Sequence, residues 1–175
     1  MAELILGGMR SGKSREAQQR ALSSEMEVVY VATAAAGDEE MAQRIARHRA
    51  ERPAGWITVE EPLQLADTLQ NLAAPSRCLV VDCLTLWLSN WLSLEGESAS
   101  GFNQAYNQLL EIIPVVAGRI ILVGNETNQG VIPVNALARR FCDESGRLHQ
   151  ELAQICDRVT LMVAGLPIEL KKEQA

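Results

Sequence analysis

Short apolar runs rich in β-branched residues recur along the chain, separated by segments with a mixed polar and apolar pattern. The runs cover residues 4–6, 28–32, 79–81, 120–123 and 159–163. Each run is too short for a helix and is apolar on both faces, which is typical of parallel strands covered by helices on both sides. Residues 56–60 form one further candidate strand.

Helical patterns lie between several of these strands. They span residues 14–24, 38–52, 62–72, 102–113 and 135–158. Strands that alternate with helices predict right-handed βαβ units, so we expect an α/β fold with a mostly parallel, doubly wound sheet. The 175 residues fit a single domain, residues 1–175. Residues 95–101 are predicted to form a polar loop, and residues 171–175 a frayed end.

Composition excludes several classes of protein. We find no apolar run of about 18 residues, so no membrane span is expected. The net charge of −6 argues against a nucleic-acid binder. The four cysteines form no C-x-x-C pair, which indicates reduced core residues of a cytoplasmic protein rather than a zinc site. Lys13 is the only lysine before Lys171, and it lies in a glycine-rich loop.

That loop matches the phosphate-binding pattern G-x-x-x-x-G-K-[ST]. It consists of Gly7, Gly8, Met9, Arg10, Ser11, Gly12, Lys13 and Ser14, with a predicted strand before it and a helix after it. Its backbone N–H groups and the helix N-terminus would bind the phosphates of ATP or GTP, and Lys13 would reach the β- and γ-phosphates. The Ser14 hydroxyl would bind Mg²⁺. The alternative is a glycine turn that matches the pattern by chance.

A carboxylate at the end of a buried strand provides a second candidate. The run Leu79-Val80-Val81 ends in Asp82, as the strand that holds Mg²⁺ does in P-loop enzymes. Asp82 would bind the ion directly or through water. The alternative is an ordinary strand-end residue.

A basic segment surrounds one of the two histidines. Arg44, His48 and Arg52 are four residues apart, so they share one face of the predicted helix 38–52. The segment is either a solvated basic face or a phosphate-binding site, in which neighbouring arginines keep His48 neutral and nucleophilic. We interpret the other histidine, His149, as structural.

Taken together, several segments resemble the bifunctional adenosylcobinamide kinase / adenosylcobinamide-phosphate guanylyltransferase family of cobalamin biosynthesis. The segments are GGMRSGKS (7–14), YVAT (30–33), DEEMAQRIARHRAERP (38–53), WITVE (56–60), DCLTLWLSNWL (82–92), NETNQGVIPVN (125–135) and LARRFCDESG (137–146). The resemblance extends from the N-terminus to about residue 167. The chain departs from the family pattern within residues 124–133 and 147–150, which affects the expected contacts with the corrinoid.

The resemblance implies a role for each candidate residue. His48 would carry GMP covalently, and Lys13 would act in catalysis. The guanine nucleotide would contact Arg49, Ala50, Glu51, Arg52 and Glu60, the pocket would be lined by Thr33, Ala34 and Ala35, and Mg²⁺ would be bound by Ser14 and Asp82. The family also implies a homotrimer.

Two reactions are therefore expected on one chain. A nucleoside triphosphate phosphorylates the aminopropanol hydroxyl of adenosylcobinamide, and GMP then passes from GTP through His48 to give adenosylcobinamide-GDP. Two alternatives remain open: a small-molecule kinase in which His48 is inert, and a nucleotide-binding regulatory protein without a transfer reaction.

Overall fold

A computed structural model describes residues 1–35, 39, 43, 46, 49, 52, 53, 55–94 and 98–172, with only the backbone for residues 98–100. The strands are Ala2–Gly7 (β1), Glu27–Ala32 (β2), Ile57–Glu60 (β3), Arg77–Asp82 (β4), Arg119–Asn125 (β5), Arg158–Val163 (β6) and Leu166–Lys171 (β7). Continuous helices are Lys13–Leu22 (α1), Leu65–Leu72 (α2), Leu84–Leu92 (α3), Ser98–Ile112 (α4) and Ala136–Ile155 (α5).

The seven strands form one sheet in the order β3-β2-β4-β5-β1-β6-β7. All neighbouring pairs are parallel except β6 and β7, which are antiparallel. The predicted α/β fold with a mostly parallel sheet is therefore confirmed. The register aligns the carboxyl ends of the parallel strands, where ligands bind in folds of this kind.

Both faces of the sheet are covered, because successive strand residues point to opposite sides. Leu4 belongs to a hydrophobic cluster that includes residues of α2, α3, α4 and α5, whereas the next residue, Ile5, belongs to a second cluster with Ala17 and Ala21 of α1. This explains why the sequence runs are apolar without alternation. Among the helices of the described residues, none combines the length and the hydropathy that crossing a bilayer requires.

A buried ion cluster fixes the amino end of β1. The Glu3 carboxylate is fully buried. It accepts hydrogen bonds from Arg20 of α1 at 3.0 Å and from Arg119 of β5 at 2.7 Å. Arg158 of β6 lies 3.9 Å from the same carboxylate. The cluster joins β1 to both of its neighbouring strands and to the helix that follows the phosphate loop.

Two elements were not predicted from the sequence. Helix α3 buries Trp87, Leu88 and Trp91 in the core, and its nine residues include no charged side chain. Strand β7 follows a two-residue turn in which Ala164 and Gly165 both have positive φ. Such a turn usually contains Asn-Gly or Asp-Gly, so this sequence gave a weak signal for the hairpin.

Two local predictions were wrong. Residues 98–101 belong to α4 rather than to a loop, and residues 95–97 lie outside the described residues. Lys171 is not frayed, since it ends β7 and its Nζ donates to the Cys156 carbonyl at 2.6 Å.

Candidate functional site

The predicted phosphate loop connects β1 to α1. Gly7 has φ +153°, and a Cβ there would lie 2.6 Å from the Met162 carbonyl oxygen and 2.6 Å from Ser11 Oγ. Gly12, with φ 99°, immediately precedes α1 in a left-handed conformation. Two of the glycines in the motif are thus required by backbone geometry and close packing.

Lys13 starts α1 beneath the loop. Its side chain is buried, and Nζ donates a hydrogen bond to the Gly8 carbonyl oxygen at 2.6 Å. Burial lowers the pKa of Lys13, and the negative charge of Asp82 opposes part of that shift. The charge of Asp82 at the end of β4 therefore acts on Lys13, although β5 lies between β4 and β1, the strand that precedes Lys13.

Asp82 is held in place by a residue that sequence analysis missed. Tyr30 Oη donates to Asp82 Oδ2 at 2.7 Å. The guanidinium carbon of Arg52 lies 3.8 Å from the centre of the Tyr30 ring. Burial, and then the Asp82 charge, raise the pKa of Tyr30, so the phenol remains a donor. The sequence contained one signal for this contact, since Tyr30 carries the only hydroxyl in an otherwise apolar strand segment. A buried tyrosine hydroxyl usually has a hydrogen-bond partner.

Thr33 links the ends of β2 and β4. Its Oγ1 donates to the Cys83 carbonyl at 2.6 Å and accepts from the Cys83 N–H at 2.8 Å. Asn90 of α3 donates to the Thr33 carbonyl at 2.8 Å. Ala34 is partly exposed and Ala35 is exposed, so both reach the surface at the same edge of the sheet. The Asp82–Cys83 peptide is cis.

The arginine–histidine segment is described only in part. His48, Ala50 and Glu51 lie outside the described residues, as do Asp38, Arg44 and Arg47 of the predicted helix. Arg49 and Glu60 are both exposed, with Nη1 and Oε1 3.6 Å apart. Arg52 Nη1 donates to Thr58 Oγ1 at 3.3 Å. The described arginines therefore contact β3 and, through the Tyr30 ring, the surroundings of Asp82.

Two oxygen-bearing side chains are candidates for a metal. Ser14 in the first turn of α1 and Asp82 at the end of β4 are both partly exposed. Within the described residues, no group of three or more histidine, cysteine or carboxylate side chains is arranged so that it could hold a metal ion. One carboxylate and one hydroxyl fit Mg²⁺, which is usually held by few protein ligands together with substrate phosphates. They do not fit zinc.

The loop after β5 borders the phosphate loop. The Glu126 N–H donates to the Gly7 carbonyl at 2.9 Å. Its carboxylate lies 4.0 Å from Nδ1 of His149, which is buried on α5. Burial lowers the pKa of His149, and the Glu126 charge opposes that shift. His149 therefore packs inside the molecule, as the structural interpretation expects.

Comparison with known proteins extends this description. A model of the family described as "Cobinamide kinase / cobinamide phosphate guanyltransferase" matches residues 3–170. The bifunctional adenosylcobalamin biosynthesis protein CobP of Pseudomonas aeruginosa is 56% identical over 174 residues, covering 99% of each chain. CobU of Salmonella typhimurium is 35% identical over 182 residues, covering 98% of this chain and 100% of that protein.

Solved structures of low sequence identity support the fold alone. The RadB recombinase has a TM-score of 0.51 at 18% identity, covering 91% of this chain and 73% of that chain. A structure from Pyrococcus horikoshii OT3 has a TM-score of 0.56 at 9% identity, covering 99% and 87%. With the phosphate loop between β1 and α1, this likeness confirms the P-loop fold class.

Proposed function

Because the chain belongs to the cobinamide kinase / cobinamide phosphate guanyltransferase family, we propose that it catalyses two successive transfers. The first phosphorylates the aminopropanol hydroxyl of adenosylcobinamide with a nucleoside triphosphate. The second transfers GMP from GTP, through a covalent His48 intermediate, to the new phosphate and yields adenosylcobinamide-GDP. We further propose that a single domain performs both.

The glycine loop between β1 and α1, with Lys13 buried beneath it and bonded to the Gly8 carbonyl, is the main structural support. A kinase needs a cation for the triphosphate and a carboxylate for the metal at adjoining positions. Lys13 follows β1 and Asp82 ends β4, at the same carboxyl edge of the sheet with only β5 between the two strands, and the Asp82 charge acts on the pKa of Lys13. A glycine turn that matched by chance would not be expected to lie beside a suitably placed carboxylate.

In the proposed kinase step, the loop backbone and Lys13 bind the phosphate oxygens. Lys13 Nζ would exchange its hydrogen bond with the Gly8 carbonyl for the phosphates. Ser14 and Asp82 would hold Mg²⁺, which neutralises the developing negative charge on the transferring phosphoryl group. Tyr30 fixes the orientation of Asp82, so that little reorganisation of this carboxylate is needed.

In the proposed guanylyl step, an imidazole nitrogen of His48 attacks the α-phosphorus of GTP. A P–N bond forms, the bond to the bridging oxygen breaks, and pyrophosphate leaves. A phosphate oxygen of the cobinamide phosphate then attacks the same phosphorus and releases the imidazole. Arg49 and Arg52 are positioned beside β3 and Tyr30, where they could bind phosphate or nucleotide oxygens.

The test uses GTP labelled at the α-phosphate, followed by denaturing electrophoresis. The chain has only two histidines, so His149→Asn is a matched control for His48→Asn. We expect label on the wild type and on the control variant, and none on His48→Asn. The label should be lost in acid and kept in alkali, because protonated nitrogen leaves readily. Cobinamide phosphorylation should persist in His48→Asn.

The results separate the three interpretations. A labelled His48→Asn protein, or an acid-stable adduct, would refute the histidine intermediate and favour a plain kinase, which transfers only the γ-phosphate. Absence of turnover with cobinamide and every other acceptor tried would favour the regulatory protein.

We also propose that the chain is a cytoplasmic homotrimer. The apolar sequence of residues 86–92 could mark either core or a subunit contact, and in α3 the side chains of Trp87, Leu88 and Trp91 are buried in the core. Strand β7 instead exposes Leu166, Ile168 and Leu170. Sedimentation equilibrium should give three times the 19.2 kDa chain mass, and a monomer at micromolar concentration would contradict the proposal.

A further inference from the structure

A cavity of about 470 Å³ lies outside the nucleotide site, between the loop after β5 and helix α5. Six residues between 127 and 133 line one side, and six between 139 and 150 line the other. Its size is within the range of small-molecule sites. The proposed reactions require a place for the acceptor, and none of the nucleotide-site residues described above lines this cavity.

The cavity adjoins the phosphate loop. Glu126 immediately precedes the cavity-lining loop, and its N–H donates to the carbonyl of Gly7, the first residue of the phosphate loop. Strand β5 also pairs directly with β1, with Asn125 opposite Gly7. A molecule in the cavity is therefore beside the position where a triphosphate would bind.

The lining combines polar and apolar groups. Asn128, Arg147 and Gln150 offer amide and guanidinium groups, whereas Val131 and Ile132 are apolar. Val131 is 95% and Ile132 78% exposed, which is unusual for adjacent aliphatic side chains. Exposed apolar residues beside convergent polar groups are typical of a binding site for an amphipathic molecule.

The polar side chains are partly organised in advance. The Arg147 guanidinium lies 4.4 Å from the centre of the Tyr106 ring and 2.8 Å from the Glu144 carboxylate. Arg139 Nη1 donates to the Pro133 carbonyl at 3.1 Å and so ties the loop to α5. Because these contacts already restrict the side chains and the loop, ligand binding would cost less conformational entropy.

We propose that this cavity binds the edge of the corrinoid acceptor, an inference that rests on the proposed function. A corrin ring is a broad, largely apolar plate with carboxamide groups around its rim. Rim carboxamides would bind Asn128, Arg147 and Gln150, while the ring face contacts Val131 and Ile132. The whole corrinoid is larger than the cavity, so most of it would lie over the loop 127–133. Its alcohol arm would extend past Glu126 to the phosphate loop.

Cys142 provides a direct test, because it lines the cavity while the other three cysteines are buried. We expect saturating cobinamide to slow the reaction of Cys142 with N-ethylmaleimide at least fivefold, measured by peptide mass spectrometry. GTP should not slow it. Alkylated protein should bind cobinamide at least tenfold more weakly, with unchanged affinity for GTP. Cys142→Ser protein given the same treatment should bind cobinamide normally.

Two surface variants provide an independent measurement. Val131→Asn and Arg147→Ala should each weaken cobinamide binding about tenfold in equilibrium dialysis, followed by the visible absorption of the corrinoid. Val115→Asn is the matched control, since Val115 is 71% exposed and does not line the cavity. GTP affinity should be the same in all three variants.

The outcomes distinguish this inference from the function on which it rests. If wild-type protein binds cobinamide but Cys142 is not protected and neither variant weakens binding, the cavity assignment is wrong and the proposed function stands. If Val131→Asn changes only the self-association of the chain, the exposed loop is a subunit contact and the assignment is again wrong. If wild-type protein neither binds nor phosphorylates cobinamide, both proposals fail.

Discussion

Replacement of Tyr30 by phenylalanine tests how the Asp82 carboxylate, the proposed metal ligand, is held. The substitution removes the hydroxyl that donates to Asp82 Oδ2 at 2.7 Å and keeps the ring. The Arg52 guanidinium stacks on the face of that ring, so its contact should survive. The variant thus isolates one hydrogen bond between a buried phenol and a carboxylate.

The expected loss of stability follows from the surroundings of the two groups. A hydrogen bond to a charged group contributes about 1.5–3 kcal/mol, and less where water can replace the donor. Tyr30 is only 1% exposed, but Asp82 is partly exposed, so water can solvate the carboxylate in the variant. We therefore expect a loss of about 1–1.5 kcal/mol, or a fall in Tm of roughly 2–6 °C for a chain of this size.

The assay is a double-mutant cycle with Asp82→Asn, measured by thermal and urea unfolding. A coupling energy of about 1 kcal/mol between the two substitutions is expected if the hydroxyl and carboxylate interact as described. Turnover should also require more Mg²⁺ in Tyr30→Phe, because the carboxylate is less well oriented. Additive effects, within about 0.3 kcal/mol, together with an unchanged Mg²⁺ requirement would refute the reasoning.

The pH dependence provides a second measurement on the same pair. Burial and the Asp82 charge raise the pKa of Tyr30 in the folded protein. The unfolded chain ionises its tyrosines near pH 10, so the contribution of Tyr30 to stability is complete below that pH and is lost as pH rises further. The wild type should therefore lose stability above pH 10 more steeply than Tyr30→Phe, and parallel curves would contradict the assigned shift.

Four further predictions concern the loop, the proposed metal site and the buried histidine. Lys13→Ala should reduce both transfer activities by about 10²-fold or more in assays with labelled triphosphates; near-normal turnover would exclude the loop as the site. Asp82→Asn should raise the Mg²⁺ concentration for half-maximal turnover more than it weakens nucleotide binding, and coincident Mg²⁺ titrations would leave Asp82 only a structural role. Gly7→Ala should lower the free energy of unfolding by roughly 2–4 kcal/mol, because Cβ would meet a backbone carbonyl; Gly8→Ala, with open space around its Cβ, is the control and should unfold like the wild type. Burial lowers the pKa of His149, so stability should fall as pH drops below about 6.5, and His149→Gln should remove that part of the slope in urea unfolding.

The features that depend on local sequence could be predicted. A strand, a glycine loop and a helix follow one another within residues 2–22, so the phosphate loop needed no tertiary information. The strand that ends in Asp82 was predicted for the same reason. The interaction between Tyr30 and Asp82 could not be, because it depends on the pairing and register of β2 and β4, which are 50 residues apart in sequence at Glu27 and Arg77.

Other features escaped prediction because their signals are weak or arise only in the folded chain. Helix α3 is short and contains no charged residue, so its sequence lacks the charged face that usually marks a surface helix. Ala164, at φ 51°, occupies a turn position that glycine or asparagine usually signals. The cavity forms between a loop and a helix, and neither segment indicates it alone. The position of His48 on the predicted helix 38–52 remains a prediction, because His48 lies outside the described residues.

The position of β1 within the sheet has a consequence for how the chain matures during synthesis. β1 is made first, yet its partners are β5 and β6, so that Glu3 lies opposite Ile121 and Arg158. At about 5–20 residues per second, a ribosome needs roughly 8–31 s after β1 to complete both partner strands. The nascent chain therefore exposes an unpaired apolar strand for many seconds, and its phosphate loop can take its final shape only late in translation. We therefore expect nucleotide binding only from chains in which β5 and β6 have been synthesised. A chain on a ribosome stalled before β5 should not bind nucleotide.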